Sequence, residues 1–120
     1  MQRTRTESGA VTAEAAVVLP VVVVFAIGLV WLIAVGATQV RALDAARETA
    51  RAAARGDSTS ASVALGRRVA TTGATFSVQD EGDTILVMVD APVRGPGGLF
   101  AFVPTYHVRA RAVAAQEPGS

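Results

Sequence analysis

The sequence predicts an α+β chain: a long N-terminal helix, transmembrane along its apolar part and extended into the soluble part, then a short helix and a three-stranded antiparallel β-meander. Three observations carry this. The 26 residues from Ala15 to Val40 contain no charge and are dense in Val, Leu, Ile and Ala, whereas about 20 apolar residues suffice to cross a hydrocarbon core. The apolar run is followed by an alanine-rich segment with helical spacing, and the last third of the chain shows period-two alternation interrupted by turn residues.

Composition sets the outer limits. At 120 residues the chain holds one compact soluble unit at most, and 51% hydrophobic residues with a mean hydropathy of +0.41 place the apolar excess in one segment. All 11 basic residues are Arg, the net charge is +1, and no basic stripe with interleaved aromatics stands in the soluble part. Nucleic acid is therefore not an expected partner. The chain has no Cys, which removes a disulfide framework, a thiol nucleophile or a zinc knuckle.

Residues 1–9 (MQRTRTESG) form a short polar leader carrying Arg3, Arg5 and Glu7. A charged start before an apolar stretch also describes a secretory signal peptide, but those apolar regions run about 7 to 15 residues and end in a small-residue cleavage site. Ala34-Val35-Gly36 and Gly36-Ala37-Thr38 are weak candidates for such a site. Retention in the membrane is the expectation, with residues 10–40 as the transmembrane helix. Pro20 lies inside it and lacks a backbone donor, which predicts a kink.

Residues 41–56 read as a soluble extension of that helix, so one helix is expected from about Thr12 to Arg55, with Gly56 as its stop. Ala42, Ala45, Ala46, Ala50, Ala53 and Ala54 recur at three- and four-residue spacings. Asp44, Arg47, Glu48, Arg51 and Arg55 form a charged face in which the acids reach Arg47 and Arg51 at i,i+3. Two readings stay open for this stretch. One is a solvated, salt-bridged face worth a few tenths of a kcal/mol per pair; the other is a flat small-residue stripe for helix-helix packing, with the charges setting register.

Residues 57–115 read as a small α+β domain. Asp57 or Ser58 caps a helix carrying Val63, Leu65 and Val69 and ending before Gly73. Thr75–Val78 and Thr84–Val89 form a hairpin around the turn Asp80-Glu81-Gly82-Asp83. A loop from Pro92 to Pro104 holds Gly95-Pro96-Gly97-Gly98 and three apolar residues, Leu99, Phe100 and Phe102, read as core; Thr105–Ala114 is a third strand. Residues 116–120 form a disordered tail.

No catalytic constellation is legible. His107 is the chain's one histidine, placed mid-strand beside Tyr106 and Arg109 with no second ligand or nucleophile positioned by sequence to join it. The Gly95–Gly98 segment lacks the Lys-Ser/Thr and the following helix of a phosphate-binding loop. The reading is of a non-enzymatic chain with no cofactor, no metal and no small-molecule substrate.

The most informative residues flank the start of the apolar run. Gly9 is followed five residues later by Glu14, immediately before Ala15. At Gly9 to Glu14 (a Gly-x-x-x-x-Glu signal), at Val18-Leu19-Pro20, and at the Ala-Ala-Arg-Glu-x-Ala-Arg block of Ala45 to Arg51, the sequence resembles the TadE-like family of minor pilins and pseudopilins. These belong to the tight-adherence (Flp-type) branch of type IV pilus systems. The resemblance covers about Ser8 to Asp57 and departs at Ala15, where Phe is the usual residue. It implies a pilin-like fold and cleavage of a prepilin-type leader between Gly9 and Ala10 by a prepilin peptidase. It further implies other pilin subunits and the assembly platform as partners, and a place in the cytoplasmic membrane of a bacterium or in a pilus at its surface.

The mechanism that goes with it has a physical basis. Cleavage would free an α-amino group on Ala10, and Glu14 at the membrane boundary would find that amine on an adjacent subunit, setting axial register in assembly. The resemblance also implies a cytoplasmic N-terminus and an extracytoplasmic domain. The arginine count runs the other way, with Arg3 and Arg5 before the span and Arg41, Arg47, Arg51 and Arg55 after it. An envelope domain on an uncleaved signal anchor, binding another protein, is the alternative; a secreted domain beginning after Val40 is the third reading.

Overall fold

The computed structural model describes residues 2–93 and 105–116, with side chains from residue 7 onward. Five elements follow in order: α1 (Gln2–Ala54), α2 (Thr59–Arg67), β1 (Thr75–Asp80), β2 (Thr84–Val93) and β3 (Tyr106–Ala115). The α+β class and the three-stranded antiparallel sheet agree with the sequence. The chain divides into two compact units, Met1–Leu32 and Ile33–Ser120.

The first unit is helix alone. Residues 7 to 26 are all exposed, although most are apolar: Val17 is 68% and Phe25 71% exposed. The helix starts ten residues earlier than Thr12, at Gln2. Nothing in the leader stops it, since Gly9 costs only about 0.5–1 kcal/mol relative to Ala, and the Thr12 hydroxyl donates back to the Ser8 carbonyl at 2.8 Å. At Pro20 the helix continues, leaving the Ala16 carbonyl without its intrahelical donor.

In the second unit, the C-terminal part of α1 and α2 cover one face of the sheet. Strand order is β1-β2-β3, both pairs antiparallel. The inward residues of β2, from Ile85 through Val87, Val89 and Ala91 to Val93, are buried, opposite Val108 and Ala110 of β3. The β1–β2 turn closes as its residues require: Gly82 takes φ 91°, its N–H donates to Asp80 Oδ1 at 2.9 Å, and Glu81 N–H donates to the Thr84 carbonyl. Ser58 caps α2, its hydroxyl accepting from Ala61 N–H at 3.2 Å.

Three expectations need correction. Strand β2 runs on through Asp90 to Val93, so Pro92 lies in a strand and not in a loop. Pairing with β1 ends at Asp90 opposite Thr75, which makes the following residues of β2 an edge on that side, where a strand tolerates Pro. Helix α2 ends at Arg67, leaving Val69 outside it and exposed. Gln116 is held, its N–H donating to the Asp83 carbonyl at 2.8 Å. Gly95–Gly98, Leu99, Phe100 and Phe102, and the tail beyond Gln116, lie outside the described residues.

Candidate functional site

Helix α1 carries most of the residues singled out from the sequence, and the structure separates them into an exposed set and a buried set. Gly9, Ala10, Glu14 and Pro20 lie on the exposed helix of the first unit. A Cβ added at Gly9 would meet nothing within 4 Å. The helix from Glu7 onward is long and apolar enough to cross a membrane. Such a surface in water would carry a large hydrophobic cost, and a lipid bilayer or other apolar helices remove it. Among the described residues it is the one helix with that length and composition.

The alanine set occupies the opposite environment. Ala42, Ala45, Ala46 and Ala52 are 0% exposed, and Ala50, Ala53 and Ala54 are buried with them. Their cover is supplied by the chain's own second unit. Gly66 of α2 comes so close that a Cβ there would collide with Thr49 Oγ1 and lie 3.0 Å from the Ala45 carbonyl and 2.8 Å from Phe76 Cε2. On the side toward β3, Gln39 Nε2 donates to the Arg109 carbonyl at 3.1 Å. The stripe is thus packed against the chain's own α2 and sheet. The small side chains let α2 and the sheet approach α1 closely, and the face they form is already filled.

The charged residues lie mostly at the surface. Asp44, Arg47, Arg51 and Arg55 are exposed and Glu48 half-buried. No ion pair joins Asp44 to Arg47 or Glu48 to Arg51 among the described residues, and Arg55 instead reaches Asp57 at 3.7 Å. Exposed pairs of this kind barely offset the side-chain entropy needed to hold them.

The sheet's outer face carries a cluster that sequence reasoning missed. Asp90 of β2 accepts from Arg109 Nε at 3.2 Å through Oδ2, and its Oδ1 lies 2.8 Å from His107 Nδ1. Asp90 stands directly opposite Arg109, and His107 opposite Pro92. Alternation in Tyr106–Ala115 signalled that His107, Arg109 and Arg111 share a face; what it lacked was the register that brings Asp90 beside them. The cluster is exposed, His107 by about half, and is a cross-strand polar network of the type that pins register. Among the described residues no group of three or more His, Asp or Glu side chains could hold a metal ion.

Comparison with known proteins places this geometry in context. Residues 9–51 match the model of a family described as TadE-like protein. A protein of Mycobacterium tuberculosis (strain ATCC 25618 / H37Rv) named "Apoptosis inhibitor Rv3655c" is 40% identical over 82 residues, which make up 68% of this chain and 59% of that protein. The chain thus spans less than two thirds of that relative's length. No solved structure matches.

Proposed function

Starting from a chain whose residues 9–51 are a TadE-like segment, we propose that it is a minor pilin or pseudopilin taking part in assembly of a tight-adherence, type IV-like pilus. The observation that supports this most directly is the wholly exposed apolar helix of residues 7–26 with Gly9 and Glu14 at its start. In this reading a prepilin peptidase cuts between Gly9 and Ala10. Gly9 favours cleavage there, because a glycine inside a helix weakens it by about 0.5–1 kcal/mol relative to Ala.

After cleavage, Ala10 carries a free amine. A carboxylate at the edge of the hydrocarbon is costly alone and much less so beside an ammonium group. Glu14 of one subunit and the amine of its neighbour would make that pair, fixing the axial offset while the apolar helices pack. With Ala42–Ala54 used up inside the second unit, packing between subunits falls to the apolar segment, and the folded unit offers its exposed surface to the assembly platform and other pilins. The domain then lies outside the cytoplasmic membrane and the N-terminus inside.

N-terminal peptide mass spectrometry on protein recovered from the host's own membranes tests the proposal. A mature start at Ala10 supports prepilin-type processing. A start at Met1 would favour an uncleaved signal anchor, and one beyond Val40 a secreted domain; either removes the pilin reading. The name of the M. tuberculosis relative supports a second reading, inhibition of apoptosis. That reading predicts protection in a host-cell death assay whether or not Glu14 is intact.

A further inference from the structure

Where α1 leaves the apolar segment, a cleft of about 440 Å³ opens in the second unit between α1, the α2–β1 connection and the end of β2. Thr38, Arg41, Ala70, Thr71, Thr72 and Pro92 line it, with two further alanines of α1. Among the described residues its polar side-chain groups are one guanidinium and three hydroxyls, with no carboxylate. The Thr38 hydroxyl is committed to the Ala34 carbonyl at 2.8 Å. The Thr71 hydroxyl is buried without a hydrogen-bond partner, and Arg41 makes no ion pair among the described residues.

An unpartnered buried hydroxyl costs about 1–3 kcal/mol. A cleft holding it together with a free guanidinium has an evident complement, an oxyanion able to accept from both.

Depth along the chain says which oxyanion is at hand. A hydrocarbon core of about 30 Å takes about 20 helical residues at about 1.5 Å each. Counting 20 from Ala15, the first residue of the charge-free run, ends at Ala34. The headgroup layer adds about 5–8 Å on each side, or roughly four or five more residues, and Arg41 has the length to reach back into it. The α1 residues lining the cleft are Ala34, Ala37, Thr38 and Arg41, which by count along the helix fall at the level of lipid phosphates.

We propose that this cleft binds the phosphate of a membrane phospholipid, held by the Arg41 guanidinium and the Thr71 and Thr72 hydroxyls. A guanidinium fork suits two phosphate oxygens at once, and charge-assisted hydrogen bonds of this type are about twice as strong as neutral ones. The site rests on the span of the apolar helix and is independent of the pilus assignment.

The test uses the full chain in a non-ionic detergent free of phosphate, titrated with phosphatidylglycerol and read by native mass spectrometry and thermal unfolding. Wild type is expected to retain one lipid and to unfold at a higher temperature with it. Arg41→Gln should lower the apparent lipid affinity about tenfold or more, a factor that corresponds to about 1.4 kcal/mol. Thr71→Val keeps the side-chain shape. Without lipid it should unfold no lower than wild type, since the hydroxyl it removes has no partner, yet lipid should stabilise it less.

Equal lipid binding by wild type and both variants would overturn the proposal. So would loss of binding in Arg41→Gln alone, which would describe a surface charge and not the cleft. A lower lipid-free unfolding temperature for Thr71→Val would show the hydroxyl already engaged and remove the premise. Inorganic phosphate that binds as tightly as the lipid would assign the site to a free anion.

Discussion

Gly66→Ala is the perturbation most sharply determined by the structure. Gly66 lies in α2, one residue before its end, and replacing a helical Gly by Ala ordinarily stabilises by about 0.5–1 kcal/mol. Here the added Cβ would overlap Thr49 Oγ1 and stand 2.8 Å from Phe76 Cε2 and 3.0 Å from the Ala45 carbonyl. Thr49 cannot swing aside at little cost. It is 0% exposed and its hydroxyl donates to that same Ala45 carbonyl at 2.8 Å. Overpacking of this kind costs about 1–3 kcal/mol, so the net expectation is destabilisation by about 1–2 kcal/mol. For a unit of this size each kcal/mol moves the midpoint by about 4–8 °C. Differential scanning calorimetry of the full chain in detergent reads the shift, and Gly66→Ala combined with Thr49→Ala should lose less than the sum of the two single changes. An unchanged or raised midpoint in Gly66→Ala would refute the claim that α2 is seated on α1 through this glycine.

Three other outcomes follow from the same structure. Val87→Ala, at a 0% exposed position in the central strand, should destabilise by about 2 kcal/mol from lost burial plus the cavity left behind, read as a fall in the calorimetric midpoint. Ser58→Ala should cost about 0.5–2 kcal/mol through loss of the α2 cap and Ser58→Gly only a few tenths, a contrast that the same calorimetry resolves. Glu14→Gln should leave membrane insertion and the calorimetric midpoint unchanged while reducing recovery of the chain in sheared surface fibres. Equal recovery would remove Glu14 from assembly.

How far the sequence spoke depended on whether the deciding interaction was local. The hairpin was legible because Asp80, Gly82 and Thr84 make the turn among themselves. The cap of α2 was legible to within two residues, Asp57 or Ser58, because a cap acts within three residues; the structure gives it to Ser58. The extension of β2 through Asp90-Ala91-Pro92-Val93 was hidden, since Asp and Pro punctuate a strand and only the early end of β1 explains why they are accepted there. The alanine stripe was visible as a close-packing surface, yet periodicity says only that something small-sided approaches; Gly66 and the sheet supplied the partner. The Asp90, His107 and Arg109 cluster needed a register set across residues between β2 and β3. The family resemblance at Gly9, Glu14 and Ala45–Arg51 was legible for the opposite reason, since all of it lies on one helix and none depends on tertiary contacts.

The burial of Ala42–Ala54 has a consequence for the order in which the second unit matures. These residues leave the ribosome before any strand exists, while the backbone that Gln39 binds, at Arg109, is made 70 residues later. The helix is thus a template waiting for its sheet, and until β3 is made the alanine face and the Val-rich face of β2 both lack their final cover. A chain halted before Tyr106 would keep its membrane helix and its hairpin but leave β2 with an open edge, a form prone to pair with other strands. Quality control at the membrane would therefore read the presence of the last strand, and loss of the residues from Tyr106 onward would be felt as instability of the whole folded unit.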